Sequence, residues 1–137
     1  MSLELAKNNT EPYDFYSDGD GSDPISVAVT LDGSGVPATI AVEVETDIFL
    51  VAENDTGTIG SYSDIGLALE SEEAGIDWEL SSDGVTWVES LSPADMDVSA
   101  TDQTLQFYAR AVFTNDGSVA TANYSAPNIV ITATENP

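Results

Sequence analysis

The sequence predicts an all-β protein, an antiparallel β-sandwich of about seven to nine short strands preceded by an extended N-terminal arm. Three observations predict it. Apolar residues recur at every second position over most of the chain, as in VAVTL and LQFYARAVF. Asp-Gly and other Gly/Asn/Asp clusters separate these runs at short, irregular intervals, so they mark hairpins and not a repeat array. A helical period is nearly absent.

Residues 1–24 read as the arm and its hinge, and 25–137 as the sandwich. Leu3 and Leu5 alternate with polar neighbours, and Tyr13, Phe15 and Tyr16 follow Pro12. Pro24 pushes Asp23 toward extended geometry, so no helix crosses that point. From Ile25 the period is two, with Ile25, Val27, Val29 and Leu31 on one face. Asp32–Gly35 turns the chain; Ile40, Val42 and Val44 alternate next, and Ile48–Val51 continues as a more apolar strand. Ile65–Leu69 is a weaker strand, and Glu70–Gly75 reads as a short helical turn or a loop.

The clearest local unit is IDWELSSDGVTWVES, residues 76–90. Ile76, Trp78 and Leu80 point one way and Asp77 and Glu79 the other. A two-residue turn at Asp83-Gly84 lets Val85 and Trp87 answer from the return strand. Ser92-Pro93-Ala94-Asp95 predicts a single helical turn, with serine as N-cap and proline behind it. In residues 104–113, Leu105, Phe107, Ala109, Ala111 and Phe113 share a face, with Gln106, Tyr108 and Arg110 opposite. A last strand is expected around 128–134.

Composition excludes several classes of function. The 137 residues contain no histidine or cysteine, which removes Ser-His-Asp chemistry, thiol chemistry and the usual zinc ligands. Twenty-five acids face only Lys7 and Arg110, for a net charge of −23. Nucleic acid and anionic membrane are therefore excluded as partners, since each needs several basic side chains on one face. Adaptation to a saline setting or plain solubility accounts for the charge equally well. MSLELAKNNTEP has neither a basic n-region nor an apolar h-region, so the expectation is a chain made and kept in a cytosol.

Residues 76–134 resemble immunoglobulin-like or fibronectin-III-like modules, particularly those of tailed-phage virion proteins. The resemblance rests on the tryptophan strand IDWELS, the SSDGVTW hairpin, the strand LQFYARAVF, the NDG turn and a strand after Ser125-Ala126-Pro127. It implies an Ig-like sandwich in which the tryptophan strand and FYARAV are neighbours in one sheet. The paired cysteines of antibody domains are missing.

Candidate sites are few. DGDGSD begins like a calcium loop, with Asp18, Asp20 and Ser22 at alternate positions. An EF-hand needs glycine at its sixth position and glutamate at its twelfth, and here those are Asp23 and Val29. The stretch reads as a hinge, with a weak calcium site at Asp18, Asp20 and Asp23 as the alternative, and no other cofactor is expected. Trp78 and Trp87 read as core, the alternative being a carbohydrate platform. Arg110 is expected to form a cross-strand charge pair with Asp77 or Glu79, stacked on Tyr108, or else to dock an acidic group of a partner. Leu3, Leu5, Tyr13, Phe15 and Tyr16 are the expected partner-binding residues of the arm.

Together these imply a non-enzymatic virion structural protein made in the host cytoplasm. The resemblance favours a decoration or cement protein on the outside of a phage head, held by its arm to the major capsid protein, other virion subunits and copies of itself. A neck or tail component and an extracellular adhesion module are the alternatives.

Overall fold

The computed structural model describes residues 3–16, 24–54, 58–70 and 73–137, and among these it is all-β and antiparallel, with no helix. Eleven strands run in order: β1 Leu3–Ala6, β2 Ser26–Val29, β3 Thr39–Glu43, β4 Ile48–Ala52, β5 Ser61–Leu69 and β6 Ile76–Ser81; then β7 Ser90–Leu91, β8 Met96–Asp97, β9 Gln103–Thr114, β10 Ala122–Ser125 and β11 Ile129–Asn136. Two of them, β7 and β8, have only two residues each.

The frame is β9, twelve residues long. Along one edge it carries β4 and β3 end to end, and along the other, over its second half, β6. β1 extends the sheet beyond β4. Between Glu43, opposite Arg110, and Ile48, opposite Phe107, four residues face only two on β9, so the chain bulges at 44–47. The opposing layer is β5, flanked by β11 on one side and by β7 and β8 on the other, together with the separate pair β2–β10. The inner face of β9 floors two hydrophobic clusters. Phe107 and Ala109 join Ile48, Leu50 and Leu80 against Tyr62, Ile65, Leu67 and Ile129. Ala111 and Phe113 join Ile76 and Trp78 against Val27, Val29 and Val119.

One bulge decides how β5 reaches this core. Asp64 has φ of +51°, and the register to β11 shifts between Thr132 and Thr134. Aspartate tolerates this left-handed conformation better than most residues. The extra residue lets Tyr62, Ile65 and Leu67 all point inward although the spacing from 62 to 65 is odd. β5 therefore begins four residues before the weak strand read from Ile65–Leu69.

The sandwich departs from expectation elsewhere too. The tryptophan strand β6 and β9 are indeed neighbours, with Trp78 opposite Ala111. In the immunoglobulin order C–F–G, however, the last strand lies beside that same long strand. Here β11 pairs with β5 in the facing layer. Ser92–Asp95 forms no helical turn. Leu91 pairs with Leu67 and Met96 with Tyr62, so five steps of chain must track five steps of β5. Only an extended chain, at ~3.3 Å per residue, can do so; a helix advances ~1.5 Å.

The largest correction concerns the N-terminus. Residues 3–16 are part of the sandwich, not an arm. β1 is hydrogen-bonded to β4, and Leu3 and Leu5 are buried in the first core cluster. The chain then doubles back around Asn8, which donates to the carbonyls of Thr10 and Pro12 and accepts from the Asp14 amide. Phe15 bridges Ala6, and the Tyr16 amide donates to the Leu5 carbonyl. Tyr16 is itself buried; its hydroxyl donates to the Asp47 carbonyl at 2.7 Å and lies 2.8 Å from the Thr46 hydroxyl, closing the bulge beside β9. Tyr13 and Phe15 are half-buried with ring centroids 5.7 Å apart. The physical reason is that β4 has a second edge, which the β1 backbone pairs, while Leu3 and Leu5, opposite Ala52 and Leu50, extend its inward apolar face. Leu5→Ala should therefore cost about 2–5 kcal/mol in chemical denaturation, whereas a partner-facing Leu5 would leave the midpoint unmoved.

Candidate functional site

The outer face of β6, β9 and β3 gathers the most unusual side chains of the protein. In an antiparallel sheet, residues directly opposite share a face, and Arg110 sits between Glu79 on β6 and Glu43 on β3. Its Nε and Nη2 both reach Oε1 of Glu79 at 2.9 Å, and both side chains are largely covered. Asp77, the other expected partner, lies opposite Val112 and is exposed. The ring stacked on Arg110 is not Tyr108 but Trp87, whose centroid lies 4.5 Å from the guanidinium carbon.

Trp87 also departs from the core position expected of it. Trp78 is core at 2 % exposure, whereas Trp87 is half-buried and belongs to neither hydrophobic cluster. A two-residue turn at Asp83-Gly84 would place Leu80 opposite Trp87. The observed bridge instead joins Leu80 to Val88, with reciprocal amide–carbonyl bonds of 2.7 and 2.8 Å. A slip of one residue sends every side chain to the other face, so Trp87 emerges over Arg110 and Val85 stands 79 % exposed.

Local polar chemistry selects the longer loop. The Asp83 carboxylate accepts from the amides of Val85 and Thr86 at 2.8 and 2.9 Å. The buried Ser81 hydroxyl accepts from the Gly84 amide and donates to Asp83. Gly84 supplies φ of +77° and lies beneath the Tyr108 ring, where a Cβ would come within 3.8 Å of it. The paired short polar residues in SSDG were the signal for this wider turn.

Asp102 accepts from the Tyr13 hydroxyl at 2.7 Å and from the Asn54 amide. These bonds, the Asn54 amide first, hold its carboxyl below the usual range. Burial, and then Asp102, raise the Tyr13 phenol; the Asp102 carboxylate also raises Glu11. The network ties the N-terminal segment to the start of β9. Asp18, Asp20 and Asp23 lie outside the described residues, among which no cluster of three acids is arranged to hold a metal ion. A groove of about 310 Å³ is lined by Ile76, Trp78, Tyr124 and Pro127, with Glu73 as its one charged residue among those described.

Comparison with family models, curated proteins and solved structures finds no match to this chain.

Two expectations follow from the electrostatics. The amides of Thr86 and Val85, then the Ser81 hydroxyl, hold Asp83 below the usual carboxylate range. A depressed folded pKa contributes stability that is present above the unfolded value, near 4, and lost as pH falls through the folded one. Asp83→Asn, a neutral isostere, should melt below the parent at pH 7, and the two curves should converge in acid below about pH 4. For the whole chain, the melting temperature should climb between ~10 mM and ~1 M monovalent salt as the Debye length falls from ~30 to ~3 Å. A flat salt curve would mean that the carboxylates are too dispersed to repel.

Proposed function

We propose that this chain is a non-enzymatic structural subunit of a virus particle, a decoration or cement protein on the outer surface of a phage head. The observation that carries the reading is the charge of −23 on an all-β sandwich. Such a surface is repelled by packaged nucleic acid and suited to the solvent side of a shell.

The way its acids are used supports a structural role. Asp32, Asp83, Asp97 and Asp116 hold loop amides and serine hydroxyls, and Glu79 is tied to Arg110. The partners would be the major capsid protein and neighbouring copies of the chain, and no cofactor is required. Because Leu3, Leu5 and Tyr16 fill the chain's own core, attachment falls to a different surface.

The test is to purify particles by density gradient from lysates of the source organism. The chain should be recovered from them by mass spectrometry, and antibody against it should label intact particles from outside. Its absence from purified particles overturns the proposal.

A further inference from the structure

We infer that the 81–88 loop and the exposed face of β9 beneath it form a docking surface for a basic protein partner. The surface consists of Val85, Trp87, Tyr108 and Arg110. The particle reading supplies a setting for this surface, but the surface does not depend on it.

Three independent observations converge. The first is exposure without disorder in the loop's bonding. Val85 is 79 % exposed and Tyr108 37 %. Yet the loop that presents them is held by two amide bonds to Asp83, the Gly84 amide bond to Ser81 and both bonds of the Leu80–Val88 bridge. A loop already held in one shape loses little conformational entropy on binding. The second is residue type. Tryptophan, tyrosine and arginine dominate the energetic centres of protein interfaces, and here one of each adjoins the loop. Arg110 stacks on Trp87, and Tyr108 lies two residues away on the same strand face.

The third observation is charge, which selects the partner. Glu79 and Glu43 flank Arg110 on either side, and Asp77 shares their face. With the arginine neutralised by Glu79, the surroundings of the patch are acidic, on a chain of net charge −23. An acidic partner, nucleic acid or a second copy of this chain is repelled. A surface with lysine or arginine around an apolar recess is attracted and steered in.

The full-length chain carrying a photoreactive benzophenone residue at Val85 is expressed in source cells and irradiated. A second version carries the probe at Val36, which is 78 % exposed on a different turn. The Val85 probe is expected to give one dominant protein adduct whose cross-linked stretch contains Lys or Arg. Trp87→Ala should lower that yield at least about tenfold, and ~1 M salt should lower it also. Tyr108→Ala gives the same readout should the tryptophan variant melt far below the parent. Equal adducts from Val85 and Val36, an adduct to a glycan or to another copy of the chain, or a yield indifferent to both substitutions overturns the inference.

Particle content is read separately. A basic protein adduct from cells whose purified particles lack the chain keeps the docking surface and sinks the virion reading. Particles that contain the chain but yield no Val85 adduct do the reverse.

Discussion

Both hydrophobic clusters of this sandwich depend on β9, because one strand face has to floor the two at once. Its inward residues run large, small, small, large: Phe107, Ala109, Ala111, Phe113, all at most 3 % exposed. The central alanines make room for their cross-strand neighbours, Leu80 opposite Ala109 and Trp78 opposite Ala111. Close packing leaves no slack for a larger residue at either alanine. The strands along β9 cannot slide independently, and the mismatch in chain length between β3 and β4 is discharged in the 44–47 bulge that Tyr16 closes.

Much of this was legible in the sequence. Strict alternation identified β2, β3, β6 and β9 and their inward faces, and it placed Trp78 in the core. What the sequence concealed has particular causes. The period-two signal fails at Asp64, where a bulge resets the alternation, so the first half of β5 went unseen. The Asp83-Gly84 pair looks like a two-residue hairpin, and only the side-chain bonds of Ser81 and Asp83 show that the turn is wider. The N-terminal leucines carry no mark that distinguishes a strand completing its own sheet from one offered to a partner. That choice depends on whether β4 has a vacant edge, a property of the assembled fold.

The acidity of the chain has an architectural side. Asp32 with Ser34, Asp97 with Ser99 and Asp116 with Ser118 repeat one device, in which an aspartate accepts from the amide and hydroxyl of the serine two residues on. Such turns favour the ionised carboxyl, so each of these groups titrates low. One buried asparagine then unites two loops. Asn115, 1 % exposed, accepts from the Gly33 amide and donates to Asp32 and to the Pro37 carbonyl. Loop order in this protein is built from short polar side chains more than from glycine and proline alone.

The register of the Leu80–Val88 bridge has an evolutionary consequence. Seven residues lie between the bridged pair, and their number alone decides which face Trp87 occupies. Losing or gaining one codon within the loop inverts the face of every residue on the return side of the hairpin. An indole could thus be moved between solvent and interior by an indel, a kind of mutation usually counted as disruptive. Lineages of such sandwiches could acquire or lose an adhesive surface in one genetic event, with no change in the residues that make it.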